Sequence, residues 1–399
     1  MKKGWEYKKL GEVCRKSNNI KWDDVPNDAS YRYIDLTSVD RSDLCIHNPQ
    51  YIKKDNAPSR AKQIIKAGDI IFATTRPTLR RVSLIDEKYD GDICSTGFCV
   101  LRPNVDVKSK LIFYALLEDG FYKYIEPLQT GANYPAVTDN IVKNYIIPIP
   151  PLSEQQSIVD YLDSAFAKID AMKANAGKAL NEAKALFQAS LKEMLEPKEG
   201  WEEKKLGDVI EHLRTGLNPR THFKLNTPDA EGFYITVREL KGFTIEPDEK
   251  TDKVNRAAIK RINERSNLKI GDVLFSGTGT IGKTALVSEL PEKWNIKEGV
   301  YAMTPKHSEL DSKYFIYYIG SEFFLRLVND KAAGTGVRSI PMKELVKLPI
   351  SIPPLTEQHS IATTLDSLKS KVDRLQANYE KISQECDALK QAILRQVFE

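Results

Sequence analysis

The sequence predicts an α+β protein with two mixed α/β domains, each followed by one long helix. We expect the two helices to pair as an antiparallel coiled coil that relates the halves by pseudo-two-fold symmetry. Two observations lead to this fold class: the 399-residue chain contains an internal repeat, and each half ends in a stretch whose apolar residues have coiled-coil spacing.

The repeat is clearest at the two ends of each half. The opening Gly-Trp-Glu-Tyr-Lys-Lys-Leu-Gly-Glu-Val at Gly4 returns at Gly200 as Gly-Trp-Glu-Glu-Lys-Lys-Leu-Gly-Asp-Val. The closing Ile-Pro-Pro-Leu-Ser-Glu-Gln-Gln at Ile149 returns at Ile352 as Ile-Pro-Pro-Leu-Thr-Glu-Gln-His. Duplicated modules tend to engage a duplicated or bipartite target, so the repeat bears on function as well as on fold.

The repeat divides the chain into four segments, which are residues 1–150, 151–198, 199–353 and 354–399. The first and third contain short β-rich runs such as Asp69–Phe72 and Asp272–Phe275, each preceded by a glycine. Each also contains one apolar stretch with helical character, at 111–124 and 314–328. We expect Ser109 and Ser312 to be the N-caps of these two helices.

The second and fourth segments are nearly free of proline and rich in Ala, Leu, Lys and Glu. Pro150 and Pro151 followed by Ser153 and Gln156 predict a stop and then a capping box, and Pro197 closes the first helix. Apolar residues alternate in steps of four and three, which is typical of a coiled-coil seam. The predicted seam residues are Ile158, Leu162, Ile169, Met172, Leu186, Ile361, Leu365, Leu368, Val372, Leu375, Ile382 and Leu389.

The order of the segments favours antiparallel pairing of the helices. A parallel pair would require residues 187–200 to return along the whole helix, which is about 65 Å at 1.5 Å per residue. An antiparallel pair needs no such return and places the two mixed domains at opposite ends.

Composition restricts the class of protein. Lys and Arg number 59 against 55 Asp and Glu, a mild basic excess that permits nucleic-acid binding. Five scattered cysteines and five histidines show no zinc spacing, and no catalytic set stands out. The sequence also lacks a charged-then-apolar leader and an apolar run near 18 residues. Together with the scattered cysteines, this predicts a reduced cytoplasmic protein without structural metal.

Two polar loops in each half are candidate DNA contacts, at 74–78 and 131–134 and again at 276–280 and 334–339. Loops rich in Thr, Gly, Arg and Lys on a rigid scaffold suit phosphate and base-edge contacts. The surroundings are basic, since residues 53–81 contain eight Lys or Arg and two Asp. The candidate DNA-binding residues are Thr74, Thr75, Arg76, Arg80, Arg81, Asn133 and Tyr134 in the first half, and Arg220, Thr278, Thr280, Lys283, Arg338 and Ser339 in the second.

Two alternatives from other classes remain open at this point. Gly277–Thr284 satisfies the P-loop pattern of a nucleotide-binding protein. A P-loop must open a helix, whereas residues 285–289 have the pattern of a short strand that stops at Pro291, so a Gly-rich hairpin is favoured. The other alternative is a coiled-coil scaffold without DNA function.

The chain resembles the specificity subunits of Type I restriction–modification enzymes. The resemblance is carried by the Trp-x-x-x-x-Leu-Gly openings at Trp5 and Trp201, the Gly-Asp-apolar strands at Gly68 and Gly271, and the Pro-Pro-Leu-Ser/Thr-Glu-Gln helix starts. Thr-Gly-Leu-Asn-Pro at Thr215 is similar to a Gly-x-x-Pro loop of such modules. The first half departs from the pattern after Phe72, where Arg-Pro replaces the glycines.

This resemblance implies that residues 1–150 and 199–353 are target recognition domains and that the helices space them on a bipartite, asymmetric DNA target. It also implies partners, namely methylation subunits that bind S-adenosylmethionine and methylate adenine, and restriction motor subunits that use ATP and magnesium. The specificity subunit itself would hold no cofactor and carry out no chemistry.

Overall fold

The computed structural model describes residues 4–289 and 292–399, so Pro291 of the hairpin argument lies outside the described residues. The chain forms two compact units. The first contains the chain up to Gly177 together with Tyr379–Glu399, and the second contains Lys178–Asn378. Each unit therefore holds one mixed domain and a part of each long helix.

The first unit contains three small sheets. Its strands are β1 (Glu6–Lys9), β2 (Cys14–Arg15), β3 (Asn18–Asn19), β4 (Tyr31–Ile34), β5 (Gln50–Ile52), β6 (Ala61–Ile64), β7 (Ile70–Ala73), β8 (Val82–Leu84), β9 (Ile93–Ser95), β10 (Phe98–Pro103) and β11 (Ile146–Ile149). The sheet orders are β1-β11, β2-β10-β7-β8 and β3-β6-β9-β4-β5. Only the β4–β9 pairing is parallel among these described strands.

The second unit repeats this plan with changes. Its strands are β12 (Glu202–Lys205), β13 (Ile210–Thr215), β14 (Gly232–Ile235), β15 (Leu240–Lys241), β16 (Thr244–Ile245), β17 (Lys253–Val254), β18 (Val273–Ser276), β19 (Thr284–Leu286), β20 (Trp294–Ile296), β21 (Val300–Pro305) and β22 (Pro349–Ile352). The sheet orders are β12-β22, β13-β21-β18-β19, β17-β14-β20 and β15-β16.

Helices cover one face of each four-stranded sheet. The helices are α1 (Ser109–Ala115), α2 (Asp119–Ile125), α3 (Asp139–Lys143), α4 (Leu152–Leu195), α5 (Leu206–Val209), α6 (Pro219–His222), α7 (Arg256–Ser266), α8 (Ser312–Ile319), α9 (Glu322–Lys331), α10 (Met342–Leu345) and α11 (Leu355–Phe398). The long helices α4 and α11 confirm the two helical segments predicted from composition.

The Gly-Asp strand lies at the centre of each unit and is buried on both faces. In β7, Ile70 and Phe72 pack towards the helices, and Ile71 and Ala73 pack towards the five-stranded sheet. β18 shows the same alternation of buried residues between two cores. Burial on both faces explains why these strands are continuously apolar rather than alternating.

The aspartate that precedes each central strand is a buried structural group. Asp69 accepts hydrogen bonds from the Lys66 N–H at 2.8 Å and from the Arg102 Nε at 2.8 Å. Asp272 likewise accepts from the Lys269 N–H at 2.8 Å, and its cation is Arg214 at 2.8 Å. A buried carboxylate is stable only when paired in this way, so Gly-Asp marks a turn and a buried ion pair.

The repeated motifs at the ends of each half meet in space. β1 pairs with β11 so that Glu6 lies opposite Ile149, and β12 pairs with β22 so that Glu202 lies opposite Ile352. The indole N–H of Trp5 donates to Glu154 at 3.1 Å, and that of Trp201 donates to Glu357 at 3.3 Å. The opening and closing motifs are therefore one structural element, the junction of each domain with its helix.

Within each unit the two long helices run antiparallel, as predicted. In the first unit Lys173 pairs with Asp387 at 3.1 Å and Asp170 pairs with Lys390 at 2.6 Å. In the second unit the Lys184 Nζ donates to Gln376 at 2.7 Å. Residue numbers thus rise along α4 as they fall along α11.

The predicted seam is partly wrong. Met172 and Leu186 are each 59% exposed and Leu389 is 47% exposed, whereas the other nine predicted residues are buried or partly buried. On α4 the side chains of Leu180 and Phe187 are buried instead. A heptad pattern identifies both seam positions only when both are occupied by large apolar residues. Alanine stands at 165, 176, 179 and 183, so the sequence did not distinguish one seam position from its neighbour one residue later.

Two predictions about helix ends are also wrong. Each apolar stretch forms two short helices, because Glu118 caps the Gly120 N–H and Ser321 caps the Phe324 N–H and each starts a new helix. Ser109 and Ser312 are first helical residues, since the N-caps are Lys108 and Asp311.

The predicted capping box of α4 does not form. The helix already includes Ser153, and the Gln156 amide donates to Asp160 at 2.8 Å. The neighbouring Gln155 is the buried residue, and its amide donates to the Pro150 carbonyl at 3.1 Å.

Candidate nucleic-acid interface

The two polar loops that the sequence singled out in the first half lie side by side. Thr75 and Ala136 form an antiparallel bridge, and the Arg76 N–H donates to the Pro135 carbonyl at 2.6 Å. The first loop follows β7, and the second precedes α3 and β11. We call this pair of loops, 74–76 and 130–136, the first two-loop surface.

Arg76 is the exposed centre of the first two-loop surface. Its backbone is left-handed, with φ of 49°, and its guanidinium lies 4.7 Å from the centre of the Tyr134 ring. The same guanidinium donates to the Asn133 carbonyl at 3.3 Å. The Tyr134 side chain is 69% exposed, so an aromatic face and a planar cation are presented to solvent together.

The second unit has an equivalent second two-loop surface, formed by residues 277–283 and 333–339. Thr278 and Ser339 form the corresponding bridge, and the Gly279 N–H donates to the Arg338 carbonyl at 2.9 Å. Gly277 is required here, because a Cβ at this position would lie 2.1 Å from the Tyr301 ring. Burial raises the pKa of Tyr301, whose hydroxyl donates to the Ile340 carbonyl at 2.7 Å.

The Gly-rich segment of this surface is a hairpin between β18 and β19. Leu274 lies opposite Ala285 and Phe275 lies opposite Thr284 in an antiparallel pair. A strand rather than a helix therefore follows the glycines, and the P-loop alternative is wrong. The Lys283 side chain is exposed on this hairpin.

Three candidates of the first half are engaged or partly covered within the unit. Thr74 is buried, and its hydroxyl donates to the Gly97 carbonyl at 2.9 Å. The Arg80 guanidinium pairs with Asp119 at 2.6 Å and lies 4.2 Å from the Tyr122 ring centre. Arg81 is partly exposed, with its Nε buried and unpartnered. Arg76, Asn133 and Tyr134 remain as the exposed polar groups of this set.

In the second half most candidates are exposed. Thr278 and Thr280 lie at the tip of the hairpin, and Arg220 lies on α6. The Arg338 guanidinium donates to the Asn329 carbonyl at 2.8 Å, which leaves its other N–H groups free to donate elsewhere. Ser339 is partly exposed and carries the bridge to Thr278.

The basic residues of the second half were visible in the sequence, but the helix that carries four of them, α7, was not predicted. α7 carries four exposed cations, which are Arg256, Lys260, Arg261 and Arg265. Arg261 donates to the His222 carbonyl at 2.8 Å and Arg265 lies 4.0 Å from Glu298, so two are partly engaged. The sequence does contain a signal for this helix, since the apolar residues Ala258 and Ile262 are four residues apart and Asn255 is a strong N-cap residue.

Metal-ligating side chains are dispersed in the part of the chain that the structure describes. Among them no group of three or more His, Cys, Asp or Glu is placed to hold a metal ion, and the five cysteines are free. Within residues 4–289 and 292–399 no helix is long and apolar enough to span a bilayer.

Comparisons with known proteins agree with the geometry. The family model described as the type I restriction modification DNA specificity domain matches twice, at residues 2–181 and 198–384. The type I restriction enzyme MjaIX specificity subunit of Methanocaldococcus jannaschii is 23% identical over 402 residues, which cover 91% of this chain and 87% of the relative. The EcoKI specificity subunit of Escherichia coli K12 is 23% identical over 365 residues, covering 85% and 76%.

Two solved structures are similar over the whole chain. A chain from a study of complex assembly and conformational transition of the type I restriction–modification system has a TM-score of 0.78 and 28% identity, covering 98% of this chain and 97% of its own. The HsdS subunit from Thermoanaerobacter tengcongensis has a TM-score of 0.61 and 28% identity, covering 100% and 97%. The matched segments span most of the sequence and both repeats. This chain therefore belongs to the family of type I restriction–modification DNA specificity subunits.

Proposed function

We propose that this chain reads a bipartite, asymmetric DNA sequence, one half-site with each two-loop surface, and directs adenine methylation or restriction by partner subunits. The carrying observation is that both units present a bridged pair of polar loops at the same place in the fold, although the loop sequences differ. A protein that recognises two different half-sites can use the same scaffold twice with different exposed side chains.

The first half-site would be read by Arg76 with Asn133 and Tyr134. A guanidinium held against an aromatic ring loses less side-chain freedom on binding, and it can donate two parallel hydrogen bonds to a guanine edge. One such bidentate contact discriminates between bases by about 1–3 kcal/mol. The supporting features are the 4.7 Å cation–π contact and the high exposure of Tyr134.

The second half-site would be read by Thr278, Thr280 and Arg338, with Lys283 and Arg220 on phosphates. The hairpin tip is narrow, because its glycines carry no side chains, so its hydroxyls can approach base edges closely. Lysine contacts to phosphate carry no sequence information and add a salt-dependent part of the affinity.

The partners follow from the family. We propose that methylation subunits supply S-adenosylmethionine and adenine methylation, that restriction motor subunits supply ATP and magnesium chemistry, and that this chain holds no cofactor and is not itself an enzyme. We further propose that the protein acts in the cytoplasm, where its DNA target lies. The outer faces of the long helices are candidate docking surfaces for methylation subunits, and they carry apolar side chains such as Met172 and Tyr161, which are 59% and 50% exposed.

The helices would set the spacer between half-sites. Insertion of one heptad into both α4 and α11 lengthens the pair by about 10 Å, which corresponds to roughly three base pairs. We expect the methylated motif of such a variant to have a longer gap with unchanged half-sites, and an unchanged gap would refute the spacer role.

The direct test is a methylome. The chain would be expressed with its methylation subunit in a host without adenine methylation, and the modified adenines would be mapped. A two-part motif with a fixed gap is expected. Soluble proteins that fail to associate would favour a scaffold without DNA function instead.

A further inference from the structure

Each mixed domain contacts its own helix through a small charged cluster that the sequence reasoning did not identify. In the first unit Asp163 of α4 accepts from the Lys110 Nζ at 2.6 Å and from the Tyr114 hydroxyl at 2.6 Å. Lys110 and Tyr114 both lie on α1, in the mixed domain. Burial, and then the hydrogen bond to Asp163, raise the pKa of Tyr114, so its hydroxyl remains a donor.

The second unit contains the same cluster 203 residues later in the chain. Asp366 of α11 accepts from the Lys313 Nζ at 2.6 Å and from the Tyr317 hydroxyl at 2.7 Å. Burial, followed by the hydrogen bond to Asp366, raises the pKa of Tyr317. Two halves with different recognition loops therefore have the same domain-to-helix contact.

A buried glutamine adds a second fixed point in each unit. Gln155 is 1% exposed; its carbonyl accepts from the Lys108 N–H at 2.8 Å and its amide donates to the Asp106 carbonyl at 3.1 Å. Gln358 is fully buried and makes the equivalent bonds to the Asp311 N–H and the Glu309 carbonyl, both at 2.8 Å. The helix start and the aspartate two turns later thus both contact the segment that begins α1 or α8.

These contacts are directional, whereas most of the domain-to-helix contact is apolar. Apolar packing is roughly proportional to area and tolerates small rotations, while hydrogen bonds weaken steeply away from linear geometry. Two polar fixed points on one helix therefore define the angle of the domain about that helix. None of the cluster residues lies in either two-loop surface.

We propose that Lys110, Tyr114 and Asp163, and in the second half Lys313, Tyr317 and Asp366, are positioning residues for spacer reading. They hold each recognition domain at one angle on its helix and so make the complex selective for one spacer length, without contacting DNA. This proposal rests on the proposed function, because it presupposes that two half-sites are read at a fixed separation.

The test measures selectivity for spacer length in the intact complex with its methylation subunit. Duplexes would carry the motif from the methylome with its own spacer, or with a spacer one base pair shorter or longer. For Asp163→Asn and for Lys110→Met, we expect the ratio of the affinities for the correct and the altered spacer to fall about 3- to 10-fold. Without the ion pair, the domain can adopt more than one angle on its helix and so bind both spacers. Discrimination against substituted bases in either half-site should stay at the wild-type level.

Two matched variants make the result specific. Asp170→Asn removes the same charge from the same helix, but Asp170 pairs with Lys390 of α11, so the spacer ratio should not change. Lys110→Arg keeps the ion pair and should retain the wild-type ratio. A wild-type ratio in Asp163→Asn and Lys110→Met, or an equal loss of affinity for all spacers, would overturn the proposal. Wild-type protein without any spacer preference would instead refute the proposed function.

Discussion

The two halves present equivalent two-loop surfaces but build the neighbouring structure differently. In the first unit β6 pairs with β9 and extends a five-stranded sheet. In the second unit α7 packs against β20, which corresponds to β9, and the sheet has three strands. The difference shows that the same fold accommodates a strand in one unit and a helix in the other at this place.

The local sequences explain the choice. In β6 the side chains alternate, with Ala61 and Gln63 buried and Lys62 exposed, which is the period of a strand. In α7 the buried residues Ala258, Ile262 and Ser266 are four apart, which is the period of a helix. The helix therefore exposes four cations, whereas the strand exposes one.

The junctions with the helices show the opposite behaviour, because they are nearly identical in the two halves. This constancy can be tested by removing the buried glutamines, which should give the largest effect of the changes considered. Gln155→Ala leaves the Lys108 N–H and two carbonyls without partners, and Gln358→Ala does the same at Asp311. Each change should lower the free energy of unfolding of its own unit by about 2–4 kcal/mol.

Scanning calorimetry would measure these losses as shifts of the transition of one unit. The control is Gln156→Ala, since Gln156 is exposed and bonds only locally to Asp160 in the described structure. It should change stability by less than about 0.5 kcal/mol. A large loss in one half and a negligible loss in the other would show that the junctions are not equivalent.

The sequence could predict the architecture because the repeat and the helical periodicity are properties of the chain itself. It also located both loops of each two-loop surface, since polar Thr, Gly and Arg clusters next to apolar strands are visible without coordinates. It could not show that the Thr74 hydroxyl is bonded to Gly97 or that Arg80 is paired with Asp119, because these partners are distant in the chain. Tertiary contacts decide which polar side chains of a loop remain free.

The seam shows a second limit. Met172 and Leu186 satisfy a four-three pattern as well as Leu180 and Phe187 do, and the pattern alone does not say which set faces the other helix. The Asp163 and Asp366 clusters were visible as identities between the halves, but identity does not reveal a hydrogen bond to Tyr114 or Tyr317.

The two two-loop surfaces differ in the geometry of their arginines, and the proposed function then predicts separable effects of intermediate size. Arg76→Ala should relax base selectivity in the first half-site only, and Arg338→Ala should do so in the second half-site only. In each variant the discrimination between bases should fall by about 1–3 kcal/mol at one position of the motif, because the proposed bidentate contact to one base is removed. The measurement is the methylome of each variant.

Lys283→Ala is the matched comparison in the second half. Loss of the proposed phosphate contact of Lys283 should weaken binding to all DNA sequences alike. It should also make the affinity less dependent on salt concentration. An equal loss of selectivity at both half-sites in Arg338→Ala would contradict modular reading.

The smallest predicted effect concerns the caps of the second short helix in each half, where the first half has Glu118 and the second has Ser321. Burial raises the pKa of Glu118, and the nearby carboxylates of Glu399 and Asp119 raise it further, against the Gly120 N–H and Arg395. The folded state therefore binds this proton more tightly than the unfolded state does. Protonated Glu118 therefore adds to the free energy of unfolding at low pH. This contribution is lost as the pH rises from about 4, the ordinary pKa of glutamate, through the raised pKa of the folded state.

Glu118→Ser should remove this pH dependence while keeping a capping oxygen. We expect the first unit of this variant to be more stable than wild type at pH 7, with the difference shrinking towards pH 4. Burial also raises the pKa of Asp139 in the same unit, so some pH dependence should remain in the variant. Ser321→Ala is the matched change in the second half, and it should lower stability by a similar amount at both pH values, because serine does not titrate. A pH-independent difference between Glu118→Ser and wild type would show that the carboxyl of Glu118 titrates alike in the folded and unfolded chain.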